Sequence, residues 1–176
     1  RYMGFTLRPW PGYEAEKAAV FGRAADYAWE KYGLTPVFLP IEKRLDVGAC
    51  QMAAAHMKAP YCLFEDTGAS DHTIGLFSRM QVVVSMRLHA LVFSAGQGVP
   101  LVGVVYDQKI SSFLHYIGQD LFTDLREVTF EGLCAQIDAA VARIGDTEFL
   151  SGGVDRLRQV ERRNSQTAEK LLGLHP

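Results

Sequence analysis

Gln81–Asp107, QVVVSMRLHALVFSAGQGVPLVGVVYD, carries the pattern on which the fold rests. Val82-Val83-Val84 is a continuous apolar run. It hands over through Ser85-Met86-Arg87-Leu88-His89 to an apolar helical stretch. The chain turns at Gly96-Gln97-Gly98-Val99-Pro100 and re-enters a β-branched run, Leu101 to Val105, which ends in Tyr106-Asp107. Two buried strands joined by a helix make a βαβ unit. An arginine and a histidine stand where the first strand gives way to the helix, the edge at which open α/β sheets bind ligands.

Outward from this unit the same alternation repeats. Met3 to Leu7 reads as a strand closed by Arg8-Pro9-Trp10-Pro11-Gly12, and Glu14 to Tyr32 as a helix stopped by Gly33. Pro36 to Ile41 is a second strand. Asp46 is placed to cap a helix running to about Lys58. Tyr61 to Phe64 is a third strand, and Ser70 or Asp71 caps a short helix through Arg79. After the central unit come a helix from Ile110 to Ile117, a short strand at Leu121-Phe122-Thr123, a helix from Phe130 to about Ile144 capped by Thr129, and a charged helix from Asp155 to Leu172. The fold class this predicts is α/β, a Rossmann-like parallel sheet with helices on both faces. Right-handed crossovers would bring Arg8, Glu42, Asp66, Arg87-Leu88-His89 and Tyr106-Asp107 to one edge.

The chain has 176 residues, 48% of them hydrophobic, enough for one well-buried domain. A net charge of −2 gives no electrostatic reason to expect nucleic acid as a partner. No apolar run approaches the ~20 residues that span a bilayer. Cys50, Cys62 and Cys134 sit in apolar patterns without metal-ligand spacing and read as reduced core residues of a cytoplasmic protein. His56, His72, His115 and His175 also lack ligand spacing and read as surface or packing residues. The charged closing helix, with Arg156, Arg158, Arg162 and Arg163, reads as a solvated face. No dinucleotide fingerprint, Walker loop, G-x-S-x-G or H-E-x-x-H is present, and no cofactor or metal is expected.

Arg87, Arg8, His89 and a helix N-terminus together suit a small, multiply anionic ligand. Each residue also has a purely structural reading. Arg87 could pair with Asp66 or Asp107, His89 could be a hydrogen-bonded core histidine, Arg8 could stack on Trp10, and Asp107 could cap the next helix.

Ser85-Met86-Arg87-Leu88-His89-Ala90-Leu91, then Gly98-Val99-Pro100, then Tyr106-Asp107-Gln108-Lys109 with Phe113-Leu114 and Gly118, resemble the C-terminal signature of polysaccharide pyruvyl transferases. That group includes cell-wall and exopolysaccharide enzymes. Gly4 to Trp10 resembles the family's strand ending in Leu-Arg-Pro. The resemblance implies a two-domain enzyme of glycosyltransferase B fold, roughly twice this long, of which residues 1–176 are the C-terminal half and 153–176 its closing helix. It implies transfer of the pyruvyl unit of phosphoenolpyruvate to two hydroxyls of a sugar in a cell-surface polysaccharide precursor, giving a cyclic ketal. Arg8 and Arg87 would hold phosphoenolpyruvate, Leu88 would neighbour it, and His89 would be the acid–base residue. Asp66, Asp107 or Glu65 would stabilise positive charge developing at C2. An acceptor carried on a lipid would bring the protein to the inner face of the membrane. The alternatives are a nucleotide-sugar-binding domain of a glycosyltransferase B enzyme and a non-enzymatic Rossmann-like binding module.

Overall fold

The computed structural model describes residues 1–173. His175 and the last residues of the expected closing helix lie outside them. Six strands alternate with helices: β1 Tyr2–Thr6, α1 Ala15–Tyr32, β2 Thr35–Phe38, α2 Lys43–Ala54, β3 Cys62–Leu63, α3 Ser70–Phe77, β4 Met80–Ser85, α4 Leu88–Gly96, β5 Leu101–Val105, α5 Gln108–Tyr116, β6 Phe122–Asp124, α6 Phe130–Ala142 and α7 Thr147–Leu171. All strands are parallel and lie in the order β3-β2-β1-β4-β5-β6. This is the expected Rossmann-like α/β architecture. The order reverses between β1 and β4, which makes their junction the topological switch point.

The sheet separates two cores. Phe5, Val82 and Val84 pack with α1, α2 and α6, while Val83 and Leu101 pack with α3, α4 and α5. A sheet covered on both faces needs apolar side chains at every position, which is why Val82-Val83-Val84 shows no alternation. Gly33 ends α1 at φ 63°, and its N–H reaches back to the carbonyls of Ala28 and Trp29. A residue without Cβ takes that left-handed conformation at no steric cost. Thr129 caps α6 by accepting from the Gly132 N–H at 3.1 Å.

Helices α1 and α2 meet at Gly22. A Cβ there would collide with the carbonyl oxygen of Ala53 and lie 3.0 Å from the His56 Cβ. Neither atom is the free end of a side chain, so the helices themselves must separate. Gly22→Ala is expected to cost about 1–3 kcal/mol of unfolding free energy, the usual cost of overpacking. Urea denaturation measures it, and an unchanged midpoint would mean that the two helices are free to shift.

Several local expectations are corrected. Asp46 does not cap α2. The N-cap is Glu42, and Asp46 lies a turn inside the helix, fully buried. The helix also stops at Ala54 rather than Lys58. The residue preceding α3 is Ala69, with neither Ser70 nor Asp71 capping it. Cys62 is exposed, because β3 is a two-residue edge strand with one neighbour. Cys50 and Cys134 are buried free thiols, and burial pushes the Cys50 thiol up to about 12. The last helix starts at Thr147, not Asp155, and runs through Gly152-Gly153. Gly153 sits directly on the backbone of Ile117, where no Cβ would fit. Its arginines Arg156, Arg158, Arg162 and Arg163 are exposed, as expected. Among the described residues, no helix is long and apolar enough to cross a membrane.

Candidate functional site

The register of β1 and β4 sets the geometry of the sheet's C-terminal edge. Thr6 is paired with Ser85, so Arg8 and Arg87 both stand two residues beyond paired positions. Beneath them the buried hydroxyls of Thr6 and Ser85 touch. Ser85 Oγ also accepts from the Arg87 N–H at 2.8 Å and lies 2.9 Å from the Arg87 carbonyl oxygen. A hydroxyl has one proton. Thr6 therefore donates to Ser85, which donates in turn to the Arg87 carbonyl. This relay fixes the backbone at which β4 becomes α4.

Arg87 does not pair with Asp66 or Asp107. Its Nε donates to Asp46 Oδ2 at 2.8 Å and its Nη2 donates to Asp46 Oδ1. The same carboxylate accepts the backbone N–H groups of Ile41 and Glu42 at 3.1 and 2.9 Å. Asp46 is wholly inaccessible, whereas the Arg87 side chain retains 14% of its exposure. The ion pair is a two-point fork in which the carboxylate has four donors, the arrangement that makes a buried charge tolerable. Two of the guanidinium's three nitrogens are held by Asp46, so the plane of the group is fixed while Nη1 makes no bond to it.

Arg8 turns the other way. Its Nη1 donates to the Tyr106 hydroxyl at 2.6 Å, and its guanidinium carbon lies 4.8 and 4.9 Å from the centres of the Trp10 and Tyr106 rings. The stacking on Trp10 allowed by the sequence is thus present. Arg8 Nε is buried without a hydrogen-bond partner among the described residues. Each arginine reaches across the other's strand: Arg87, from β4, to the helix that follows β2, and Arg8, from β1, to the end of β5. The two guanidiniums share an edge but not a partner.

His89 is exposed, in the first turn of α4, and is not a core histidine. Its ring packs loosely on Phe93 at 6.3 Å. It lines a pocket of about 200 Å³ with Ile41, Thr67, Gly68, Ser70 and Thr73. Among the described residues no side chain caps α4, so its leading N–H groups and positive end are left without a capping oxygen. Leu88, the first residue of that helix, is half-buried.

The remaining predicted carboxylates lie further out. Asp107 caps α5, accepting from the Lys109 N–H at 3.0 Å. That bond, with the charges of Lys109 and Arg8 nearby, holds its carboxyl below the usual range. Asp66 is exposed and accepts from the Gly68 N–H at 2.9 Å and from Lys43 Nζ at 3.1 Å, which lowers it in the same way. Glu65 is exposed too. The edge therefore gathers Arg8, Arg87, Leu88 and His89 around the switch point, with Asp66 and Asp107 at its flanks. The sequence read Asp46 only as a helix cap and Ser85 only as part of the motif, and gave neither its role of holding Arg87.

A family model described as polysaccharide pyruvyl transferase matches residues 7–108, more than half of the chain. No curated protein matches it. Among solved structures, a UDP-GlcNAc 2-epimerase of Methanocaldococcus jannaschii, in complex with UDP-GlcNAc and UDP, is similar with a TM-score of 0.63 at 9% identity, over 90% of this chain and 45% of that one. An α,α-trehalose-phosphate synthase of Burkholderia xenovorans gives 0.61 at 11% identity, over 96% and 43%. The glycotransferase of kitacinnamycin gives 0.58 at 17% identity, over 90% and 40%. The chain thus spans less than half the length of each of these proteins.

Proposed function

The chain belongs to the polysaccharide pyruvyl transferase family, and from that premise we propose that it supplies the donor-binding half of an enzyme that moves the pyruvyl unit of phosphoenolpyruvate onto a sugar of a cell-surface polysaccharide. One observation carries this reading: at the β1–β4 switch point an arginine follows each strand, and an uncapped helix bearing an exposed histidine begins directly after Arg87. Phosphoenolpyruvate has a carboxylate and a phosphate. The open N-terminus of α4 and the Nη1 edge of Arg87 suit one anion, and Arg8 suits the other.

The reaction balances with no further reactant. The methylene carbon takes a proton, the two sugar hydroxyls form two C–O bonds to C2, and phosphate leaves with its bridging oxygen. Of the two protons the hydroxyls lose, one replaces the proton used at the methylene and the other goes to phosphate. His89 is the acid–base group that moves them. Asp66 and Asp107 are the carboxylates nearest in role to the positive charge developing at C2. We assign the chain as a single Rossmann-like domain, residues 1–176, forming the C-terminal half of a two-domain glycosyltransferase B enzyme. The other half supplies the facing wall of the cleft. A lipid-carried acceptor at the cytoplasmic membrane face fits that role.

Calorimetry tests this reading. Phosphoenolpyruvate is expected to give saturable heat and UDP-GlcNAc none. Heat from the UDP-sugar with none from phosphoenolpyruvate would replace the pyruvyl reading with the nucleotide-sugar one, and silence with both would favour a binding module of another kind.

A further inference from the structure

A second cavity opens at the same edge, on the β6 side of the donor residues. It encloses about 170 Å³ and is lined by Trp10, Pro11, Tyr106, Asp124, Leu125 and Arg126. Sites that enclose drug-sized ligands run to roughly 300–1,000 Å³, so this one has room for a single ring. The Trp10 and Tyr106 rings stand 4.5 Å apart at 47°. Both are braced by the Arg8 guanidinium, and Trp10 remains 37% exposed. They form an open aromatic wall held rigid by a cation.

We propose that this cavity is the acceptor subsite and that it takes one pyranose ring, resting on Trp10 and Tyr106 with hydroxyls directed to Asp124 and Arg126. This inference rests on the pyruvyl-transfer reading. The aliphatic C–H face of a pyranose is weakly positive and meets the negative face of an aromatic ring. The rim of the same ring carries hydroxyls that need both acceptors and donors. Asp124 supplies a carboxylate, and its Oδ1 also accepts the Arg126 N–H at 2.7 Å, which sets the loop. Arg126 supplies donors. The Tyr106 hydroxyl accepts from Arg8 and keeps its own proton to give. A carboxylate in the lining disfavours a second anion, which separates this cavity from the donor residues. Arg8 joins the two, one nitrogen bonded to Tyr106 and the guanidinium set at the switch point, so a sugar on this wall stands beside the donor.

The chain has two tryptophans, Trp10 and Trp29, so Trp29→Phe leaves Trp10 as the sole tryptophan, excited selectively over the tyrosines at the red edge of the absorption band. That variant is titrated with methyl glucoside, mannoside, galactoside and N-acetylglucosaminide, and with UMP. At least one glycoside is expected to change Trp10 emission saturably. In calorimetry, Trp10→Ala and Asp124→Asn should each weaken that glycoside about tenfold, and Asp124→Asn should leave the heat of phosphoenolpyruvate in place. No response to any glycoside would overturn the subsite, as would saturation by UMP in its place. Loss of phosphoenolpyruvate binding in both variants, with intact circular dichroism, would also overturn it by returning these residues to the donor site. Should Trp10→Ala fail to fold, Asp124→Asn decides alone. Glycoside binding with silence toward phosphoenolpyruvate would uphold the subsite and sink the donor reading instead.

Discussion

Arg87→Ala is expected to destabilise the protein by about 3 kcal/mol, as well as to abolish binding of phosphoenolpyruvate. The stability loss follows from Asp46. Its carboxylate is fully buried and shares two charged donors with Arg87. Removing one partner of such a pair leaves an uncompensated interior charge, at a typical cost of ~3–5 kcal/mol. The N–H groups of Ile41 and Glu42 remain as partners and hold the cost to the lower end. For a domain of this size the melting temperature should fall by roughly 6–12 °C. A melting temperature within a degree of the wild type would show that Asp46 does not depend on Arg87. Because folding and binding fail together in this variant, the informative partner is Arg87→Met combined with Asp46→Asn. That pair removes both charges at similar volume and should recover most of the stability. Phosphoenolpyruvate binding should stay lost, and its return in the double variant would take Arg87 out of the donor site.

His89→Gln should do the reverse. His89 is exposed and has one loose ring contact, so its replacement should change stability by less than about 0.5 kcal/mol. Turnover, followed as phosphate release from phosphoenolpyruvate in the presence of acceptor by the enzyme with both halves, should fall ~10²–10⁴-fold, the usual contribution of a positioned acid–base group. Donor affinity should hold within about threefold. Wild-type turnover in His89→Gln would exclude the proton-transfer role.

Local chemistry was readable from the chain wherever one segment decided it. Leu101 to Val105 is a strand because three of its five residues are β-branched valines and none is polar, and Gly33 and Thr129 mark helix ends by their own conformational and hydrogen-bonding preferences. The shared edge was also legible, because parallel strands joined by helices all end on one side. What the sequence hid is long-range. Arg87 and Asp46 are 41 positions apart, and Asp46 reads locally as a cap because aspartate near a helix start usually is one. Arg8 and Tyr106 are 98 positions apart. Cys62 sits in an apolar run like the other cysteines, and only the strand order reveals that its strand lies at the margin. The extra turns of α7 were masked by Gly152-Gly153, since a glycine chosen for close helix contact looks the same as one that breaks a helix.

The position of β1 bears on how the protein is made. It is the first of the described strands and central in the sheet, and its neighbour β4 lies 79 residues downstream at the Thr6–Ser85 register. At ~5–20 residues per second of synthesis, that interval is roughly 4–16 s. Once β2 has been made, the apolar Met3-Gly4-Phe5 segment has β2 on one side and, until β4 follows, an unpaired row of N–H and C=O groups on the other. A nascent chain that ends before β4 therefore presents a half-sheet with one open edge. Translation that stalls between residues 40 and 80 should produce the species most dependent on chaperones.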